Sequence, residues 1–444
     1  MWPMGWPSFS PKDKDKSSSE EFRLKIKKDI IAEYGEKSLT EAWIKTCKAL
    51  QQVTSTITEA GSAYIPAFDF KDVVGPCNAK ILDEMKAKGG FIVRNVIPRE
   101  KAEQLFKEQV EFIANNDEIC GWPANNPAIF NIHNGPVQLQ LRTHQNQLKL
   151  QKLLNSLFID SNCASPEELE SQSEPILYPD ALRIRQPGQE FLGLGPHIDA
   201  GSLSRWADPA YRKTYDKIFS GETESFDPYD LTYRRDAKPG LFPSGVHGTA
   251  LRTFQGWTAL TPCGPGEGGL LLVPDVQIVT AYWILRPFFE SPDDGDWEDP
   301  EKWRFDDSSP WFPGTFAWDS QSLSPVSHPH LRLDKTLVDV PRVLPGDTVW
   351  WHCDMTHAVA TTHTGTEPAS VVYIPSAPST PANKDYIRRY WPELQAGIPP
   401  EDYKLQDGVG GEQVPMTQNE RLMKGALDLN LISAEGRRAL GEGV

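Results

Sequence analysis

The sequence predicts an α+β fold that is rich in β-strands and has helical extensions at its N- and C-terminal ends. Proline and glycine account for 38 and 33 of the 444 residues, and so many turn-forming residues favour short, loop-connected elements over a helical bundle. Short apolar runs typical of strands dominate residues 177–274 and return after Pro345, and segments with helical periodicity flank them. A chain of this length accommodates either one large elaborated domain or two domains.

Charge and composition exclude several classes of partner. With 45 basic and 61 acidic residues the net charge is −16, which argues against nucleic acid or an anionic membrane because both require clustered positive charge. The sequence has no run of about 18 apolar residues that could span a membrane, and its N-terminus lacks the apolar segment of a signal peptide. The six cysteines include no Cys-x-x-Cys pair, which suits reduced thiols. We therefore expect a cytoplasmic protein.

The first 87 residues are predicted to lie outside the β-rich domain. Residues 1–19 are polar and rich in Ser, Lys and Asp, so we expect them to be disordered. Residues 20–87 are expected to form a helical extension, and the segment SLTE predicts a helix with Ser38 as its N-cap and Glu41 completing a capping box. The buried face of this helix is predicted from helical spacing to contain Trp43, Cys47, Leu50 and Ile57.

The β-rich domain is predicted to span residues 88–379. It opens with an apolar run after Gly90 that is typical of a buried strand. An amphipathic helix is predicted over residues 99–116. The residues expected on its inner side are Ala102, Leu105, Val110 and Ile113.

Two insertions and a C-terminal extension accompany this domain. Residues 207–245 and 287–327 are long segments rich in aromatic and charged residues, and such segments are either lids over a binding site or surface decoration. Residues 380–444 are expected to form a polar, partly helical extension. Helical periodicity is strongest there over residues 419–433.

The stretch GPHIDAG contains candidate metal ligands. His197 and Asp199 lie two residues apart, and on a β-strand such residues point to the same face. Iron centres bound by two histidines and one carboxylate need three ligands on one face of the metal. The third would come from a distant strand, and His352 and His357 are the candidates; we favour His357, which lies just past the strand that follows PGD. Without a metal, His197 would be an ordinary buried histidine.

Other histidine and cysteine motifs are weaker candidates. His328 and His330 could share a face, but no carboxylate accompanies them in sequence, so we expect a structural or substrate-contact role. Cys353, between His352 and Asp354, has no further pair at zinc spacing, which argues against structural zinc. The sequence lacks the glycine-rich motifs of nucleotide-binding folds and the GxSxG motif of serine hydrolases.

Several longer motifs resemble a known family. The segments GPHIDAGSLSRW, RTFQGWTALTPCGPGEGGLLLVP, HPHL, PGDTVWWHCDMTHAV and SVVYIPSAP are similar to those of the YbiU-like proteins, a domain-of-unknown-function family of bacteria and fungi. The resemblance covers residues 88–378. That family is grouped with the Fe(II)- and 2-oxoglutarate-dependent oxygenases, whose core is a double-stranded β-helix, also called a jelly roll or cupin-like fold. More loosely, the late motifs also resemble phytanoyl-CoA-hydroxylase-type oxygenases, in which the second histidine is the metal ligand.

This resemblance implies a function and a set of site residues. It implies that His197, Asp199 and His357 form the catalytic centre by holding Fe(II), and that 2-oxoglutarate and O2 are co-substrates. The reaction would be hydroxylation of a small polar molecule. The residues expected to line the substrate pocket are Arg185, Trp257 and His352.

One position departs from the pattern of these oxygenases. Many of them bind the far carboxylate of 2-oxoglutarate with a basic residue shortly after the last histidine ligand, but residues 367–371 contain no base. A different cation is therefore needed if the co-substrate is used. Arg252 is the first candidate and Arg183 the next, and Ser370 could add a hydroxyl group. Lys213 and Arg185 are further candidates.

Two other functions stay open. The missing base favours a cupin-like metal isomerase, a lyase or a dioxygenase that needs no co-substrate. A jelly roll that binds a ligand without catalysis is the third candidate, although the three intact ligand residues argue against it. We expect a small-molecule substrate, no nucleic-acid or membrane partner, and either a monomer or a homodimer.

Overall fold

The computed structural model describes residues 2–6, 18–192, 194–242, 248–293, 295–407 and 413–444, and it has a mixed α+β architecture, as the sequence predicts. The greater part of the N-terminal segment predicted to be disordered lies outside the described residues, so that expectation stays a prediction. No helix in these described ranges is long and apolar enough to cross a membrane.

The strands and helices are numbered here in chain order. The strands are β1 (Ala67–Asp69), β2 (Gly90–Arg94), β3 (Gly121–Trp122), β4 (Ile129–Phe130), β5 (Pro175–Ile176), β6 (Leu182–Arg185), β7 (His197–Ile198), β8 (Phe254–Ala259), β9 (Leu270–Leu272), β10 (Phe289–Glu290), β11 (Arg304–Phe305), β12 (Gln321–Ser322), β13 (Val338–Asp339), β14 (Thr348–His352), β15 (His357–Val359), β16 (Ala369–Tyr373), β17 (Ala377–Pro378), β18 (Leu405–Asp407) and β19 (Gln413–Pro415). The α-helices are α1 (Glu20–Tyr34), α2 (Glu36–Ala60), α3 (Phe70–Val73), α4 (Ala79–Lys88), α5 (Arg99–Ala114), α6 (Pro136–Arg142), α7 (Gln145–Ser156), α8 (Pro166–Ser173), α9 (Ser204–Ala207), α10 (Pro209–Lys213), α11 (Asp216–Phe219), α12 (Val276–Leu285), α13 (Leu333–Thr336), α14 (Pro381–Ala396) and α15 (Ala434–Ala439).

Two sheets form the centre of the molecule. The larger has eight strands in the order β1-β2-β14-β8-β16-β6-β4-β3, and the smaller has five in the order β12-β7-β15-β9-β13. Every pair of neighbouring strands in them is antiparallel except β1 and β2. Strands far apart in sequence are therefore neighbours in space, which can bring distant side chains to one site.

One apolar cluster joins the two sheets. It contains Leu272 of the smaller sheet together with Phe254 and Trp350 of the larger sheet, all fully buried. Gly256 is directly opposite Trp350 in the larger sheet, and a Cβ atom at Gly256 would lie 2.5 Å from the indole. A glycine is required there because the ring covers the neighbouring backbone.

The N-terminal helices pack against a second apolar cluster. The predicted buried face of α2 is confirmed, since Trp43, Cys47, Leu50 and Ile57 are all fully buried. The predicted start at Ser38 is wrong. Helix α2 begins at Glu36 with Gly35 as its N-cap, because Gly35 also ends α1 and its φ of 83° turns the chain directly into the next helix.

Two further helix predictions need correction. In α5 the buried stripe runs through Ala102, Leu105, Gln109 and Phe112, whereas Val110 is 45 % exposed. Residues 419–433 form turns and a short 3-10 segment instead of an α-helix, and Gly425 in their middle has a φ of 91°. The C-terminal extension instead forms α14, whose Tyr386, Ile387 and Leu394 are buried in a third apolar cluster.

Replacing Trp43 with Ala should lower the free energy of unfolding by about 3–5 kcal/mol, because it leaves a large cavity in a packed core. The Trp43 ring stacks on Phe289, with ring centroids 4.6 Å apart, so α2 is held against the core by this contact. Denaturant unfolding followed by circular dichroism measures the loss. Leu422→Ala, at a side chain that is 83 % exposed, is the control. A loss as small as that of the control would show that α2 does not share the core.

Candidate metal centre

Two histidines and one aspartate meet between the sheets. Strands β7 and β15 are neighbours, and His357 is directly opposite His197 in their antiparallel pairing. Asp199 follows β7 immediately. Its two carboxylate oxygens lie 3.3 Å from Nε2 of His197 and 3.3 Å from Nε2 of His357. The structure thus brings together the three residues that the sequence analysis selected as metal ligands.

Backbone carbonyls orient both imidazole rings. Nδ1 of His197 is 2.8 Å from the carbonyl oxygen of Gly195, and Nδ1 of His357 is 2.9 Å from that of Met355. A ring nitrogen that faces a carbonyl oxygen must carry the hydrogen, so the lone pair of each ring lies on Nε2, on the side of Asp199. Atoms 3.3 Å apart can share one ion at roughly 2.1 Å. The donor set therefore fits a metal bound by two histidines and one carboxylate.

The charges of the three side chains are coupled. Burial alone would raise the pKa of Asp199, but His357 and His197 outweigh it and hold that pKa well below its ordinary value. Burial lowers the pKa of His197, and the charge of Asp199 with its hydrogen bond raises it further than burial lowers it. Burial and the neighbouring His197 both lower the pKa of His357. A bound cation would take over the positive charge that stabilises Asp199.

A strained turn fixes the backbone after Asp199. Ala200, Gly201 and Ser202 have φ values of 54°, 72° and 34°, and non-glycine residues in this region cost about 1–3 kcal/mol each. The guanidinium of Arg205 donates a hydrogen bond of 2.9 Å to the carbonyl oxygen of Asp199. Contacts from surrounding residues thus hold the turn in its strained conformation, which is common where side chains must be held for function.

Arg205 in turn belongs to a buried ion-pair network around Asp354. The Asp354 carboxylate accepts a hydrogen bond of 2.7 Å from Arg234 and one of 3.2 Å from Tyr215, and it lies 3.8 Å from Nε of Arg205. All of these side chains are almost fully buried. The network therefore links the segment before His357 to the turn after Asp199, and it positions the metal site from behind.

His352 does not take part in the candidate centre. Its Nε2 lies 3.0 Å from the carbonyl oxygen of Pro228, its Nδ1 accepts a hydrogen bond from the backbone N–H of Asp354, and its ring stacks on Phe158. Its place in the substrate pocket is therefore a wrong prediction, because both nitrogens are engaged away from the cavity. His352, Cys353 and Asp354 also have ligand-type atoms close together, but Arg234 and Tyr215 already occupy the Asp354 carboxylate.

A cavity of about 310 Å³ opens in front of the three ligand residues. Both sheets contribute to it, because β15 supplies His357 and the larger sheet supplies Arg183, Trp257 and Tyr373. The C-terminal extension closes part of it with Tyr403. A volume of this size suits a small molecule.

Arg183 is the most buried cation of this cavity. It is only 2 % exposed, it lines the cavity, and among the described residues its Nε atom has no hydrogen-bond partner. Arg183 is directly opposite Val371 in the pairing of β6 with β16. It therefore lies beside residues 367–371, which contain no base. Arg252 lines the same cavity and is half-buried.

Three other anchor candidates lie elsewhere. Arg185 donates hydrogen bonds to the carbonyl oxygens of Gln189, Ala360 and Thr361, so it braces loops, and it is not among the residues that line the cavity. Ser370 pairs with Ile184 and therefore points to the opposite side of β16 from Val371. Lys213 forms ion pairs with Glu33 and Asp216 at the surface.

His328 and His330 are both buried in the protein interior. His328 is fully buried with Nδ1 2.8 Å from the Ser327 hydroxyl, and burial lowers its pKa well below the ordinary value. His330 packs among aromatic rings, including Trp43 and Tyr282. Neither residue lines the metal cavity.

The two insertions differ in their relation to the site. Residues 207–245 supply Tyr211 and Arg234 to a small adjoining cavity of about 30 Å³, which shares Asp199, Arg252 and Gln255 with the main one. In residues 287–327, Ser322 pairs with His197, but a separate surface cavity is lined by Ser291, Pro292, Gly295, Trp297 and Glu298. A lid function for the tip of the second insertion is therefore not supported by its position.

The sequence analysis missed two polar residues of the cavity wall. Asp180 precedes β6, and Tyr403 lies in the C-terminal extension, yet both line the cavity. The Tyr403 hydroxyl donates a hydrogen bond of 3.4 Å to Asp180. No periodicity in the sequence marks either residue, because Asp180 stands in a loop and Tyr403 in a single 3-10 turn.

Comparisons with known proteins extend these findings. The sequence profile of the Gig2-like family matches residues 19–442. The protein YbiU of Escherichia coli (strain K12) is 29 % identical over 393 residues, covering 86 % of each chain. The crystal structure of GlcNAc Inducible Gene 2 from Candida albicans is similar with a TM-score of 0.83 and 27 % identity, covering 97 % of this chain and 90 % of that one. A crystal structure from Salmonella typhimurium LT2, named as a candidate oxidoreductase, has a TM-score of 0.78 at 26 % identity and covers 99 % of both chains.

Replacing His197 or His357 with Ala should abolish binding of Fe(II), because the two ligands that remain in each variant do not hold the ion. Anaerobic equilibrium dialysis with metal analysis measures the bound iron. His352→Gln is the matched control and should retain it, since His352 is directed away from the cavity. Full iron occupancy in the His357 variant, or its loss in the His352 variant alone, would contradict this assignment.

Replacing Asp354 with Asn should weaken metal binding by about 10–100-fold, as is typical when a residue that orients metal ligands is lost. It should also lower the free energy of unfolding by about 3–5 kcal/mol, because Arg234 and Arg205 lose their carboxylate partner in a buried site. Metal titration and denaturant unfolding of the same variant separate the two effects. Unchanged metal affinity would show that Asp199 is positioned independently of this network.

Proposed function

The chain belongs to the Gig2-like family, and we propose that it is a non-haem Fe(II)- and 2-oxoglutarate-dependent oxygenase that hydroxylates a small polar molecule. The observation that carries the proposal is the arrangement of His197, Asp199 and His357. Both Nε2 atoms face one carboxylate at 3.3 Å at the wall of a small cavity. This donor set is typical of iron oxygenases that keep open positions for oxygen and substrate.

The arrangement of the sheets supports the same class. Two mainly antiparallel sheets share one apolar cluster, and the cavity lies between them. We therefore propose that they form the double-stranded β-helix, or jelly roll, that the resemblance of the sequence motifs implies. Ligand cavities at the mouths of such β-structures are common.

The bound iron would supply the chemistry of oxygen activation, coupled to oxidative decarboxylation of 2-oxoglutarate to succinate and CO2. The protein would hold the iron with its three ligands and orient the co-substrate. The indole of Trp351, with its centroid 5.2 Å from that of His357, and the side chains of Leu270 and Val359 would keep water away from the reacting groups.

Arg183 is the residue that we propose for the far carboxylate of 2-oxoglutarate. A buried guanidinium without an anion is costly, and a carboxylate bound by its two parallel N–H groups would compensate the charge. The pairing of Arg183 with Val371 puts this cation beside the strand position that lacks a base. Arg183 could therefore replace the base that residues 367–371 lack, and the reaction could still use 2-oxoglutarate.

Anaerobic addition of Fe(II) and 2-oxoglutarate should produce a visible charge-transfer band, and aerobic turnover should form succinate. Arg183→Gln should raise the 2-oxoglutarate concentration needed for half of that band at least about tenfold, because truncating one partner of a buried charge pair costs roughly 2–5 kcal/mol. Iron binding should be unchanged, and Arg304→Gln at an exposed ion pair is the control.

Three outcomes would contradict parts of the proposal. Iron binding without any 2-oxoglutarate-dependent band would favour a cupin-like reaction that needs no co-substrate. A tenfold effect in Arg252→Gln, with none in Arg183→Gln, would move the anchor to Arg252. Absence of iron binding in the unmodified protein would leave only a ligand-binding role.

A further inference from the structure

We propose that Arg252 and Asp180 form the substrate-recognition site, and that the substrate is a small carboxylic acid which also carries a hydroxyl or amino group. Arg252 would bind the carboxylate, and Asp180 would accept a hydrogen bond from the hydroxyl or amino group. This inference rests on the proposed function of the metal centre, and it names the class of molecule that reaches the metal.

The backbone on both sides of Arg252 is clamped. Asn383, which is fully buried, accepts a hydrogen bond from the Leu251 N–H and donates one to the Leu251 carbonyl, both at 2.8 Å. On the other side, the Thr253 N–H donates a hydrogen bond of 2.9 Å to the carbonyl oxygen of Ser376. The position of Arg252 is therefore fixed before any ligand arrives, which reduces the entropy cost of binding.

The guanidinium of Arg252 forms no hydrogen bond or direct ion pair with a carboxylate among the described residues. Burial lowers its pKa, and the neighbouring Tyr178 and Tyr403, together with the carboxylates of Asp199 and Asp180, raise it further than burial lowers it. It lies over the ring of Tyr178, with Cζ 5.2 Å from the ring centroid, and this contact holds its plane. A Cβ atom at Gly248 would lie 2.9 Å from Nη2 of Arg252, so the glycine leaves room for the side chain. An arginine at a cavity wall that is held in place without a carboxylate is ready to bind one from a ligand.

Asp180 is the opposite charge of the same cavity. Its Oδ1 atom accepts hydrogen bonds from the Ala181 N–H at 2.7 Å and from the Tyr403 hydroxyl at 3.4 Å. Within the described part of the chain, its Oδ2 atom has no such bond and the carboxylate forms no ion pair. Its backbone carbonyl is fixed by Gln138 at 2.7 Å, so this carboxylate is also held rigidly.

The two charges face the cavity without pairing with each other. The charge of Arg252 offsets part of the rise that burial causes in the pKa of Asp180, but among the described residues neither side chain forms a direct ion pair. Such a site complements a molecule that carries an acid group and a hydrogen-bond donor, because each buried charge is then compensated by a direct contact. Arg252 also lines the small adjoining cavity together with Asp199 and Gln255. A ligand bound to Arg252 would therefore lie next to a metal ligand, within reach of the reaction.

The division of roles between the two arginines follows from their positions. Arg183 is 2 % exposed, on an interior strand of the larger sheet, and it lines the main cavity but not the small adjoining one. Arg252 is half-buried where the two cavities meet. Two carboxylates, one from 2-oxoglutarate and one from the substrate, would thus be bound by separate cations.

The test is a binding and turnover screen of the full-length protein with matched compounds. The probes are free amino acids and polyhydroxy acids, each paired with its primary carboxamide and with the analogue that lacks the amino or hydroxyl group. Ligand-observed NMR on the metal-free protein measures binding. Substrate-stimulated succinate formation with Fe(II) and 2-oxoglutarate measures turnover.

At least one acid should bind about tenfold more tightly than its carboxamide and stimulate succinate formation. Arg252→Gln should remove the preference for the acid, Arg252→Lys should keep part of it, and Asp180→Asn should remove the preference over the analogue without the donor group. Arg304→Gln, whose side chain is exposed, should leave both preferences unchanged. Circular dichroism shows whether each variant is folded.

The outcomes separate this inference from the proposed function. If no acid binds in preference to its carboxamide, or if Arg252→Gln keeps the preference while folded, the recognition site is refuted even though the 2-oxoglutarate-dependent band still forms. If acids bind through Arg252 but no such band forms, the recognition site stands and the oxygenase proposal fails.

Discussion

The antiparallel pairing of His357 with His197 is the constraint on which the candidate site depends. It places two imidazoles from strands far apart in the sequence side by side, with ring centroids 4.2 Å apart. Asp199 can reach both of them only because the chain turns sharply after β7 through three residues with positive φ. Carbonyl oxygens of Gly195 and Met355 then set which nitrogen of each ring faces the aspartate. Strand register, turn geometry and hydrogen bonding act on the same few atoms.

Buried charged side chains lie on two sides of this centre, in a network behind it and in the cavity in front of it. Behind it, Asp354 forms an ion pair with Arg234 and lies 3.8 Å from Arg205, so both buried guanidiniums have a carboxylate neighbour. In front of it, Arg183 and Arg252 line the cavity without an ion pair among the described residues. Buried charges that lack partners are costly in a stable protein. This difference between the two sides supports a structural role for the rear network and the proposed binding of carboxylates by the cavity arginines.

Local sequence patterns predicted those features that depend on local chemistry. The apolar run at β2 and the buried face of α2 follow from residue spacing alone, and the His-x-Asp motif pointed to the place where the metal ligands meet. The start of α2 could not be predicted from local sequence. Ser38 and Gly35 are both possible N-cap residues, and the path of the chain from α1 into α2 decides between them. Helical periodicity over 419–433 was misleading because Gly425 adopts a positive φ there.

The residues that line the cavity could be identified only from the structure. Arg183 and Arg185 both lie in β6 with the same sequence character, but one lines the cavity and the other braces loops. Their places along the strand distinguish them, because Arg185 at the end of β6 reaches the carbonyl oxygens of Gln189, Ala360 and Thr361. Asp180 and Tyr403 reach the cavity from a loop and a single 3-10 turn, which carry no periodic signal.

Anomalous diffraction from crystals grown with Fe(II) under nitrogen would test the central claim most directly. The account predicts one strong iron peak at roughly 2.0–2.2 Å from Nε2 of His197, Nε2 of His357 and the Asp199 carboxylate. A peak at His352, Cys353 and Asp354 instead, or no peak at the His197 site under saturating iron, would contradict it.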